Sequence, residues 1–176
     1  MFFDELKQIK AEGEMVSIYA DRNETDVFIT GYVVGVDEQF YIIAFVKPDG
    51  DFDGFGLRKI DFCRIDRGGI YIKKREKLVD IKKSKTGKSF ESDDLKRELL
   101  VYAFNKETIV SIELVDSGYE DCIGLIKSVD DSMCRIQILN RYGETDGVSL
   151  IQLSDITGIT CDDSEHRYLK LLYTGA

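Results

Sequence analysis

A mostly β protein, one small unit written twice, is what this sequence predicts, and three observations carry the prediction. Strand formers abound: the 176 residues include 10 Phe and 9 Tyr with many Val and Ile, and only one Pro. Apolar residues make up 43% of the chain, enough for packed cores. The chain also repeats itself in order. Val16-Ser17-Ile18 is matched by Val110-Ser111-Ile112 at an offset of 94, and the run from Gly31 to Asp37 by Gly124 to Asp130 at 93. Asp53-Gly54 is matched by Asp146-Gly147 at 93, and Asp61-Phe62 by Asp155-Ile156 at 94. Tyr71-Ile72 is expected to answer Tyr168-Leu169.

Each copy opens with a short helix. Phe2, Leu6 and Ile9 form a one-sided stripe that Gly13 ends. In the second copy Ser92 is placed to cap, Asp93 and Asp94 suit the positive end of the helix dipole, and Leu95, Leu99 and Tyr102 or Ala103 supply the stripe. Five strands should follow, at residues 15–20, 26–37, 39–47, 54–60 and 62–66, then at 109–115, 121–130, 133–140, 147–153 and 156–161. Further short strands are expected at 70–73 and 168–173. This divides the chain into residues 1–73, a basic linker at 74–91, and residues 92–176.

Residues 27–36 are apolar on both faces, which a flat, half-exposed strand does not need. The strand must bend. Gly31 and Gly35, with Gly124 and Ser128 in the second copy, remove side chains where a small barrel turns its corner. The pairs Asp37-Glu38 and Asp130-Asp131 then fall at hairpin turns, where Asp bonds its own backbone.

A helix followed by a strongly bent five-stranded, SH3-like barrel resembles the Sm-like (LSm, Hfq) superfamily. Its first signature has Gly, Asp six residues later, Met three further on, then Asn. "GLIKSVDDSMCRI" is similar to it through Gly124, Asp130 and Met133, and the first copy through Gly31, Asp37 and Phe40. "RIDRGGI", residues 64–70, resembles the second signature, an Ile-Arg-Gly element, with Asp66 interrupting. The resemblance implies two tandem barrels, assembly by strand addition between neighbours, and binding of single-stranded RNA by a stacking side chain beside the Asn place. That place is Tyr41 here, and Cys134 in the second copy. The RNA-binding candidates are Phe40, Tyr41 and Arg67, although by the alternation Tyr41 reads first as an inward core residue.

Charge weighs on the RNA reading. The chain carries −9; residues 14–72 hold 6 basic and 11 acidic side chains, and residues 108–176 hold 5 and 12. Neither repeat invites a polyanion. Residues 73–88, with 8 basic and 2 acidic, are the exception, so Lys82, Lys83, Lys85 and Lys88 join the candidates. The same run reads more simply as a solvated arm neutralising the acidic repeats.

Catalytic and metal chemistry find little footing. "KSKTGKS" lacks the first Gly of a phosphate loop, since Lys82 stands there. "CDDSEH" at 161–166 and "DGDFDG" at 49–54 read as acidic hairpin turns before they read as metal or calcium sites. Cys63, Cys122, Cys134 and Cys161 form no C-x-x-C pair and read as small core residues. A non-enzymatic protein with no cofactor, no metal and no small-molecule substrate is expected. It should be cytoplasmic and free of membrane, since "MFFDELKQIK" is no signal peptide and no 18 apolar residues run together.

The third strands differ. In the second copy Arg135 and Gln137 face outward, whereas Ile42 and Ala44 hold those places in the first copy, with Val46 beyond. An apolar strip of this kind is a covered surface. Ile42, Ala44 and Val46 are therefore interface candidates, and association with a protein partner or with itself is the expected role.

Overall fold

The computed structural model describes residues 1–175. These form α1 (Phe2–Glu12), β1 (Met15–Tyr19), β2 (Ile29–Val36), β3 (Phe40–Val46), β4 (Phe52–Lys59), β5 (Arg64–Arg67) and α2 (Ile70–Lys82). The same order returns as α3 (Leu95–Lys106), β6 (Ile109–Leu114), β7 (Cys122–Val129), β8 (Met133–Leu139), β9 (Thr145–Gln152), β10 (Ile156–Cys161) and α4 (Ser164–Thr174). The fold is mostly β, with the strands hydrogen-bonded in the orders β5-β1-β2-β3 and β4-β10-β6-β7-β8-β9. The chain divides into two compact units, Met1–Gly54 with Arg58–Leu95, and Phe55–Leu57 with the chain from Lys96 onward. The middle of β4 thus belongs to the second unit.

In the first unit β1 pairs antiparallel with β2 and β5, and β2 with β3. One face carries the core: Leu6 and Ile9 of α1 meet Val16, Ile18, Val33, Tyr41, Ile43 and Phe62. α1 ends at Gly13, whose φ of 65° is the left-handed conformation that glycine adopts without strain. β2 is irregular in its pairing with β3 and crowds it at a glycine. A register shift falls between Val33 and Gly35, and a Cβ on Gly31 would lie 2.0 Å from the Ala44 carbonyl oxygen. The second unit repeats this, with a shift between Ile126 and Ser128 and 1.8 Å from a Cβ on Gly124 to the Gln137 oxygen. The hairpin turns match as well. Asp37 Oδ1 accepts from the amides of Gln39 and Phe40 at 2.8 and 2.7 Å, and Asp130 Oδ1 from Ser132 and Met133 at 2.9 and 2.7 Å.

Residues 70–73 and 168–173, expected as strands, instead lie within α2 and α4. Ile72, Arg75 and Val79 are the buried stripe of α2. Two turn glycines fix the correspondence of the helices. A Cβ on Gly50 would meet Leu78 Cβ at 2.8 Å, and one on Gly143 would meet Leu172 Cβ at 2.7 Å. Leu78 and Leu172 are 94 apart, so Ile72 corresponds to His166, and the match of Tyr71-Ile72 with Tyr168-Leu169 is corrected. The basic linker is helix up to Lys82. "CDDSEH" is a helix start, with the Asp163 side chain accepting from the His166 amide at 2.7 Å. Cys134 and Cys161 are buried and Cys122 half-buried, but Cys63, in the turn leading to β5, is exposed.

Candidate functional site

The sequence-derived candidates are absorbed into the chain itself. Phe40 and Tyr41 are buried, with Tyr41 at 0% exposure and its hydroxyl pKa pushed up by burial, so neither offers a ring face to a base. Arg67 on β5 donates to Glu5, Glu12 and Glu14, of which Glu14 and then Glu5 raise its pKa, and the group is a locally acidic cluster. Lys82 pairs with Asp51 at 2.8 Å and Asp49 at 4.0 Å. Lys85 Nζ donates to the Gly13 oxygen at 3.0 Å and lies 4.4 Å from the Tyr32 ring centroid, Lys88 stands over the Phe90 ring, and Lys83 forms the left-handed cap of α2. Lys82 and Lys85 are thus engaged within their own repeat, while Lys73, Lys74, Lys77 and Lys83 of the same run are exposed.

Ile42, Ala44 and Val46 are buried within the first unit. α2 and the segment after it close over this face. The Arg75 guanidinium donates to the Val46 oxygen at 2.9 Å, the Phe90 amide donates to the Val34 oxygen at 2.8 Å, and a Cβ on Gly35 would meet Phe90 Cβ at 3.0 Å.

Buried Ser111 on β6 lies 2.6 Å from His166 Nε2, and His166 Nδ1 lies 3.2 Å from Asp163 Oδ1, outside hydrogen-bonding geometry. The set has the members of a nucleophilic triad, but both Ser111 and His166 are only 4% exposed. In the first repeat the same strand position is Ser17, bonded to Thr30 at 2.8 Å. The hydroxyl in each repeat thus serves to fasten the fold, and His166 pins α4 to β6. Burial lowers the His166 pKa more than the carboxylates of Asp163, Glu120, Glu165 and Asp162 raise it.

What stands open is the outer strand of the second unit. β9 ends the strand order and pairs with β8 alone. Val148 and Leu150 on it are 50% and 59% exposed, whereas their counterparts Phe55 and Leu57, 93 residues earlier, are 1% and 0% exposed. The difference is cover. Within the second unit β10 lies beside the middle of β4, with Gly158 so near that a Cβ on it would be 3.7 Å from the Leu57 oxygen, and Tyr102 of α3 meets the Phe55 ring edge-on at 5.6 Å. Val148 pairs with Gln137, and Gln137 with Leu125, so they share one sheet face. Leu169 of α4 packs on that face against Ile109, Leu125 and Leu139, while Tyr168 and Leu171 of the same helix stay exposed. The repeat offset places 148 and 150 opposite 55 and 57, but only the strand order shows which pair is covered.

Among the described residues no group of three or more His, Cys, Asp or Glu is arranged to hold a metal, and no helix is long and apolar enough to cross a membrane. No family model, curated protein or solved structure matches the chain.

Proposed function

We propose that the chain is a tandem Sm-like binding and assembly module that works without catalysis, docking protein along the β9 edge. Three features support the Sm-like reading: the order helix then five strands occurs twice, glycine stands where the second strand of each repeat crowds the third, and the turn between those strands is built on the signature Asp. The observation that carries the docking reading is the contrast between buried Phe55 and Leu57 and exposed Val148 and Leu150. An edge strand bearing apolar side chains accepts a further strand, and main-chain hydrogen bonds supply the affinity. Covering the exposed part of the two side chains adds about 1 kcal/mol each.

Two experiments test this. A photo-crosslinking residue at position 148 should form a protein adduct that is absent from position 127 on β7 and lost when Leu150 is Lys. Retardation of single-stranded RNA below about 100 μM at low salt, within the range of ordinary non-specific binders, would overturn the protein-docking reading.

A further inference from the structure

Resting on the β9-edge reading, we infer that the partner is a second copy of this chain, paired β9 to β9 in a closed two-fold dimer. The alternative use of the chain's own parts is head-to-tail, with β5 of one copy meeting β9 of the next. Each element available for that arrangement is wrong for it. β10, the strand that covers β4, has Gly158 opposite Glu113 and Thr160 opposite Ser111 across its pairing with β6. The matching places on β5, opposite Tyr19 and Ser17 of β1, hold Arg64 and Asp66. These two are joined by a bidentate ion pair of 2.8 and 2.7 Å, and the Arg64 guanidinium lies 4.4 Å from the Tyr19 ring centroid. Seating β5 on β9 would press that hydrated pair against Val148 and Leu150, and desolvation of an ion pair by apolar neighbours is not repaid.

The helices repeat the mismatch. α1 and α3 end at Gly13 and Glu107, both with positive φ and 94 apart, so Leu99 and Tyr102 of α3 correspond to Glu5 and Gln8 of α1. Tyr102, whose ring meets Phe55 in the second unit, is thus replaced by an amide, and buried Leu99 by a carboxylate held by Arg67.

β9 suits itself. Its regular stretch is residues 148–152, Val-Ser-Leu-Ile-Gln, which carries no charge, while the bulge and the positive φ of Gly147 lie just outside it. Antiparallel self-pairing about Leu150 sets Leu150 against Leu150 of the other copy, and Val148 against Gln152 on the same face. No like charges meet. The contact is isologous, so it stops at two chains.

The test is sedimentation velocity of the whole chain from about 5 to 300 μM, a span chosen so that a tenfold change in affinity is visible. Wild type should move from monomer to dimer with no larger species. Val148→Lys with Leu150→Lys, both at exposed positions, should weaken association at least tenfold and leave the circular dichroism unchanged. Leu150→Cys in a Cys63→Ser background should oxidise to a covalent dimer. Dependence on residues 148 and 150 reports on the edge, and the number of chains reports on the partner. A β9-dependent series beyond two chains would overturn self-pairing and keep the docking edge. Association indifferent to both lysines would overturn self-pairing at β9 and leave the edge to the crosslink. A wild type that stays monomeric throughout would overturn self-pairing alone, because the crosslink from position 148 tests the edge separately.

Discussion

The two repeats share a backbone plan and differ in what covers them. In the first, the face bearing Ile42, Ala44 and Val46 is closed by α2 and the segment that follows it, and the middle of β4 is buried. In the second, α4 covers the same face in part through Leu169, Arg135 is exposed and Gln137 half-buried on it, and β9 is left open with Val148 and Leu150 on it. Duplication lets one copy spend its edge on folding and the other keep its edge for binding. The structural hydroxyls diverge in the same way: Ser17 meets Thr30, whereas Ser111 meets a histidine.

The largest predicted effect breaks the comparison at its centre. Ile42→Lys puts an unpaired charge into a fully buried site and should cost more than about 4 kcal/mol, unfolding the chain rather than dissociating it. The corresponding residue in the second repeat is already Arg135, so Arg135→Ala should stay within about 0.5 kcal/mol. Paired urea titrations would check this, and equal costs would show that the two faces are alike. Next in size, Phe55→Ala should cost about 3–5 kcal/mol, against less than about 1 kcal/mol for Val148→Ala measured at dilution.

Much of the fold is legible in the sequence because short runs of strand formers bounded by turn residues mark the strands, and because the repeat offset transfers each assignment to its twin. What escaped is the helix after each set of strands. In α2 the stripe Ile72, Arg75, Val79 has a buried arginine at its middle, so periodicity alone shows a charge run. In α4 the acids that resemble a turn are a helix cap. The candidate site was least legible. Tyr41 and Arg67 occupy the places that the family resemblance marks, yet one lies in the core and the other is held by three glutamates. Val148 and Leu150 look like ordinary strand residues until the neighbour of each strand is known.

Two smaller effects sharpen the comparison. Gly31→Ala and Gly124→Ala should each cost roughly 1–3 kcal/mol, because the added methyl meets a backbone carbonyl in both repeats. Markedly unequal costs would mean that the close approach serves only one copy. The smallest effect belongs to His166, whose pKa burial depresses below the ordinary 6.5. Below that pH the unfolded chain binds a proton that the native ring refuses, so the stability present above it is lost as pH falls. His166→Gln should remove that part of the acid slope, and the loss would be read as the difference between two pH series of thermal unfolding. Ile72, at the same place in the first repeat, has no proton to take up.

The central claim, that one repeat buries its edge while the other offers it, is tested most directly by amide hydrogen exchange along β4 and β9 over a dilution series. The account predicts slow exchange at residues 55–57 at every concentration. At residues 148–152 it predicts fast exchange in dilute protein and protection that rises with concentration. Equal, concentration-independent protection of both stretches would contradict it.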